Sequence, residues 1–123
     1  MKRSNLENLS DGELVSRFIA AAQKMGGAVL ESETQAANRA FDVLWEIDRL
    51  LRARGEPSRL KLMPLLDHAD RFVRYYAAIK LLGLIPDRAR RVIDENYKGW
   101  RDALAGDAGM LLLALDRGEW KPD

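Results

Sequence analysis

The stretch Leu62 to Gly83, LMPLLDHADRFVRYYAAIKLLG, restricts the fold more than any other part of the chain. Leu62, Leu65 and Leu66 recur at helical spacing, and so do Val73, Tyr76, Ala77 and Leu81. Between the two sets, Asp67 and Asp70 mark a tight acidic turn. Asp70 stands where a side-chain oxygen can cap the following helix, a contribution of about 1 kcal/mol. Gly83 ends that helix. Pro64 lies inside the first one, where it removes a hydrogen bond and crowds the preceding turn at a cost of about 3 kcal/mol. The spacing therefore predicts a helix that kinks at Pro64 or begins near it.

Helical spacing continues on both sides. No six-residue stretch alternates β-branched and polar residues, so strand signals are nearly absent. Ser10-x-x-Glu13 has the form of a capping box, and Leu14, Val15, Phe18, Ile19 and Ala22 follow. Gly26-Gly27 is the expected stop. A second helix is predicted from Ser32 or Thr34, with Ser32-x-x-Gln35 offering another box. Its apolar stripe is Ala37, Ala40, Phe41, Leu44, Ile47 and Leu51, with an Asp48–Arg52 pair on the opposite face. Gly55 and Pro57 end it. Ser58 opens the third helix and Asp70 the fourth. Pro86 opens a fifth, carrying Ala89, Val92, Ile93 and Asn96 inward. After Gly99 comes a sixth with Leu104, Leu111, Leu112 and Leu115, closed by Gly118. Six helices with short connections predict an all-α fold of consecutive antiparallel pairs.

A chain of 123 residues is expected to form one domain, residues 1–123. Its apolar share of 47% and charged share of 32% fit a folded globular chain. The longest apolar run, Met110 to Leu115, falls well short of the ~20 residues a membrane-spanning helix needs. Lys2 and Arg3 are not followed by an apolar segment, so no secretory signal is read. The chain has no cysteine, which excludes disulfides, thiolate metal sites and a cysteine nucleophile. A cytoplasmic protein is the expectation.

Little in the sequence points to chemistry. His68, the single histidine, lies in the turn between Asp67 and Asp70 and could act as a base or a partial metal ligand. No second His or Cys completes a zinc set. Asp94-Glu95 and Glu31-x-Glu33 lack the ligand order of a calcium loop. There is no phosphate-cradling glycine loop and no nucleophile elbow. The expectation is a protein that is not an enzyme and has no cofactor and no metal.

Charge and aromatics offer more. Residues 1–48 carry five basic and eight acidic groups, residues 49–91 eleven and four, and residues 92–123 four and seven. A basic middle thus lies between acidic ends. Arg49, Arg52 and Arg54 close the second helix, where the dipole favours cations. Arg88, Arg90 and Arg91 fall in the first turns of the fifth, where it does not. They suit an acidic partner or nucleic-acid phosphates, or local pairing with Asp94 and Glu95. Arg71, Tyr75, Ala78 and Leu82 share one stripe of the fourth helix, either as an outer binding face or packed on a neighbouring helix. Trp45, Trp100 and Trp120 are read as partly buried, or in the case of Trp120 as a lid or dimer contact.

Leu62, Leu65 and Leu66, the turn aspartates, Val73-Arg74, Ala77-Ala78 and Gly83 together resemble a HEAT repeat. The resemblance implies a right-handed α-α superhelix of about three antiparallel helical pairs. It gives Asp67 or Asp70 a turn role and Arg74 a ladder role towards neighbouring units. ANRAFDVLWEI, LLDHADRFVRYYAA and GMLLLALDRGEW also look like a small bacterial family of uncharacterised HEAT-like proteins. The functional expectation is a non-catalytic protein-interaction module. Its concave side, with Arg71, Tyr75, Leu82, Arg88, Arg90 and Arg91, would meet an acidic or mixed protein partner. The alternative is a nucleic-acid-associated HEAT-like module binding through the basic middle. A site around His68 is the third reading.

Overall fold

A computed structural model describes residues 6–123. The N-terminal Lys2 and Arg3 lie outside the described residues. The protein is all-α, and no strand occurs among the described residues. The helices are α1 (Asp11–Leu30), α2 (Thr34–Arg54), α3 (Glu56–Arg59), a 3-10 helix (Leu60–Asp67), α4 (Arg71–Leu81), α5 (Pro86–Lys98) and α6 (Ala103–Asp116). Among the described residues no helix is long and apolar enough to cross a membrane. The chain divides into two compact units, Met1–Pro64 and Leu65–Asp123.

The first unit is built on the pairing of α1 with α2. Ser10 Oγ accepts the Glu13 N–H at 3.1 Å while Glu13 Oε1 accepts the Ser10 N–H at 2.9 Å, so the predicted capping box is formed. Leu14, Phe18, Ala21 and Ala22 are buried along α1. Burying a side chain such as Phe18 contributes roughly 1.5–3 kcal/mol. The expected stop at Gly26-Gly27 is not used. The helix runs on to Leu30, with Gly26 buried inside it. Two mid-helix glycines cost about 1 kcal/mol each relative to alanine, and packing of the α1–α2 hairpin outweighs this. The stop comes instead at Ser32, whose φ of 58° is left-handed. There the Glu33 N–H donates back to the Ala28 carbonyl at 2.8 Å. A serine in that conformation cannot also cap α2. The second predicted box is absent, and α2 begins without a side-chain cap.

Ala40, Leu44, Ile47, Leu50 and Leu51 form the buried face of α2. Asp48 and Arg52 pair as expected at 2.8 Å, but Asp48 is buried rather than on an outer face. Phe41, expected in the core, is exposed. Arg54 donates to Asp11 Oδ1 at 2.9 Å and to the Glu7 carbonyl at 3.1 Å, and Ser58 donates to Asp11 Oδ2 at 2.7 Å. These bonds tie the end of α2 and the start of α3 to the start of α1. The Ser58 and Arg54 hydrogen bonds hold the Asp11 carboxyl below its ordinary value.

An α-helix through Pro64 would lose a hydrogen bond and meet the ring. The chain instead takes 3-10 geometry from Leu60 to Asp67. In the second unit Asp70 caps α4 by accepting the Phe72 N–H at 2.8 Å, and Pro86 opens α5. Ala89, Val92, Ile93 and Asn96 are all buried, as the spacing predicts. The inward face of α6 is Leu104, Ala105, Ala108 and Leu112. A side-chain carbon at Gly109 would fall 2.7 Å from the Tyr97 ring, so the ring would have to shift to admit one.

Candidate interaction surfaces

The stripe Arg71, Tyr75, Ala78, Leu82 is real but faces inward. Arg71 is 8%, Tyr75 0% and Leu82 3% exposed. The expectation that Arg71, Tyr75 and Leu82 form an outer binding face is therefore corrected. The reason lies in what the neighbouring helices of this unit supply. Arg71 Nε donates to Asn96 Oδ1 on α5 at 3.0 Å, and its two terminal nitrogens take both carboxylate oxygens of Asp102, one at 3.2 Å. Its guanidinium also stacks on the Trp100 ring, 3.9 Å from the centroid. A planar, five-donor cation fits this fork-to-fork geometry where a lysine would not. Asp102 at the same time caps α6 through the Ala105 N–H at 3.0 Å. The hydrogen bond from Arg71, above all, pulls the Asp102 carboxyl below its ordinary value.

Tyr75 is inside for the same kind of reason. Its hydroxyl donates to Asp107 on α6, and its ring meets Tyr76 edge-on with centroids 5.2 Å apart. Burial and then the Asp107 hydrogen bond raise the Tyr75 hydroxyl far above its ordinary value of 10.0. Burial raises Tyr76 as well. Leu82 is buried at the end of α4.

The arginines of α5 stand at the surface, mostly engaged. Arg88 pairs with Asp67, and Arg90 with Asp116 at 2.7 Å. Arg91 is exposed. A phosphate approaching Arg88 or Arg90 would compete with a carboxylate already in place. Arg74, expected to reach a neighbouring repeat, donates to the carbonyls of His68 at 2.7 Å and Ala69 at 3.0 Å. It closes the turn of its own hairpin. His68 Nδ1 accepts the Asp70 N–H at 3.0 Å, so that nitrogen too is committed to the turn. Among the described residues no group of three or more His, Cys, Asp or Glu side chains is gathered closely enough to hold a metal.

Exposed aromatics include Tyr97, Trp100 and Trp120 of the second unit and two on α2. On α2, Phe41 is 49% and Trp45 51% exposed, one turn apart. Arg49 follows one turn later. Glu46 fixes its guanidinium through Nε–Oε1 at 3.1 Å and Nη2–Oε2 at 2.6 Å. The Glu46 hydrogen bond raises the Arg49 value, so this cation persists at any ordinary pH. The predicted apolar stripe of α2 includes Phe41, which the structure leaves exposed, whereas Trp45, expected in partial burial, is half exposed. The i, i+4, i+8 spacing of Phe41, Trp45 and Arg49 was the available signal, since it sets them on a face apart from Ala40, Leu44, Ile47 and Leu51.

Comparison with known proteins adds family context. A family model described as "Domain of unknown function (DUF2019)" matches residues 12–116. No curated protein matches the chain. Among solved structures, the crystal structure of the protein RPA1889 from Rhodopseudomonas palustris CGA009 is similar, with a TM-score of 0.88 and 32% sequence identity. The likeness covers 96% of this chain and 98% of that one.

Proposed function

We propose that this chain, which belongs to the DUF2019 family of domains of unknown function, is a HEAT-like, non-catalytic protein-interaction module of the cytoplasm that engages its partner through the outer face of α2. The observation that carries this reading is the pair of half-exposed aromatics Phe41 and Trp45, with the pinned guanidinium of Arg49 one turn on. Isolated exposed apolar side chains are ordinary. Two large aromatics in register on one helix, next to an arginine already fixed in place, have the composition of an interface hot spot. Pinning Arg49 before binding also lowers the ordering cost that association would otherwise carry.

The test is affinity capture from the native host with wild-type protein and with Phe41→Ser/Trp45→Ser. A partner held by the wild type and lost with the double variant, both forms melting within a few degrees of each other, supports the reading. Partners retained equally by the double variant would end it.

A further inference from the structure

The α1–α2 hairpin carries a second surface, away from Phe41 and Trp45. An open groove of about 620 Å³ runs between the two helices. Its floor is made of small residues, among them Ala20, Gly27, Ala36 and Ala40. Along it stand Arg17 and Lys24, two turns apart on α1, and Arg39 on α2. All three are exposed, and none is held in a salt bridge among the described residues. Glu13, one turn before Arg17, is hydrogen-bonded in the Ser10 capping box and feels the Arg17 charge without a salt bridge to it. The hairpin end of the same groove carries Glu31 and Glu33.

We infer that this groove receives an amphipathic α-helix of a partner protein, with acidic residues in its C-terminal half. Small lining residues let a second helix come close, and an amphipathic helix can lay its apolar face in such a groove. Glu31 and Glu33 close the hairpin end, Lys24 and Arg39 stand about two turns in, and Arg17 lies about two turns further along α1, so the charge passes from negative to positive along the groove and sets the direction. The partner's C-terminal half, negative by its dipole and by its acidic side chains, runs from Lys24 and Arg39 at mid-groove towards Arg17. Its N-terminus, positive by its dipole, lies towards Glu31 and Glu33.

The probe is a fluorescein-labelled 18-residue helical peptide with alanine and leucine on one face and four glutamates in its C-terminal half. Its isomer carries the same four glutamates in the N-terminal half. Fluorescence anisotropy is read against the full chain at low salt. The first peptide binds saturably, and the isomer binds about tenfold more weakly or worse. Replacing Arg17, Lys24 and Arg39 together by Glu weakens the first peptide by at least about tenfold. Ala36→Leu, which fills the floor and leaves every charge in place, weakens it too. Circular dichroism melting checks that both variants fold. The comparison of the two peptides on wild-type protein stands even if a variant does not fold. Absence of saturable binding, equal binding of the two peptides, or indifference to both folded variants would overturn the inference. So would displacement of the peptide by a 20-nucleotide single-stranded DNA at equal or lower concentration, which would assign the three cations to phosphate.

Discussion

Helices α2 and α4 treat their side chains in opposite ways. Helix α4 buries an arginine and two tyrosine rings. Helix α2 leaves a phenylalanine and a tryptophan half in water. Residue type alone would have sorted these the other way. What decides is the partners within reach. On α4 the polar atoms of Arg71 and Tyr75 meet Asn96, Asp102 and Asp107, so burial leaves no unpaired charge or hydroxyl. On α2 the buried face is filled by Ala40, Leu44, Ile47 and Leu51, and the aromatics lie on another.

The contrast breaks most sharply at Arg71. Arg71→Ala would leave Asp102 without its main partner and Asn96 with an unused acceptor. Removing one member of such a pair costs about 3 kcal/mol, at the lower end of the range because Asp102 is partly exposed. Urea titration should show the loss, and Arg71→Lys should recover only part of it because the fork and the stacking are gone. By contrast, Phe41→Ser and Trp45→Ser should each change stability by about 1 kcal/mol or less, since each side chain already stands half in solvent. If the two experiments gave equal losses, the distinction between the helices would fail.

The next largest effect concerns packing in the second unit. Gly109→Ala sets a methyl group against the Tyr97 ring at a cost of about 1–3 kcal/mol, of which alanine's better helix propensity returns up to about 1 kcal/mol, and chemical denaturation reads the net loss. A smaller effect per step comes from the buried tyrosines. In the unfolded chain Tyr75 and Tyr76 lose their protons near pH 10, while in the folded chain both are held well above that. A group whose folded value is raised contributes fully below the unfolded value. Stability should therefore be level up to about pH 10 and then fall by about 1.4 kcal/mol per pH unit for each tyrosine. Denaturant midpoints measured between pH 9 and 11 read this slope, and Tyr75→Phe should remove half of it. The smallest effect belongs to the hairpin of the first unit. Ser32→Gly relieves a left-handed serine and should raise the melting temperature, a gain of about 1 kcal/mol or less.

Helix starts were legible where the cap is local. Ser10 with Glu13, Asp70 with Phe72 and Pro86 at the head of α5 all lie within a turn of what they fix. Gly26-Gly27 does not stop α1 because glycine reports what the backbone can do, while the pairing of α1 with α2 decides what it does. The periodicity of Arg71, Tyr75, Ala78 and Leu82 correctly set them on one stripe. It could not tell inside from outside, because the carboxylates that receive Arg71 and Tyr75 lie 31 and 32 residues further on. No local pattern joins residues so far apart. The exposure of Phe41 is not legible for a related reason, since a helical apolar stripe as wide as that of α2 takes in residues at its edge.

Asp102 holds the Arg71 fork with its carboxylate while accepting the first-turn amide of α6. The initiation of α6 is thereby coupled to the seating of α4, with α5 joined through Asn96. These bonds predict that the corner opens as one cooperative unit, with fraying of one helix loosening the other two. Amide exchange shows the coupling directly: the Ala105 proton, although near a helix start where exchange is normally fast, should exchange only as the whole three-helix unit opens.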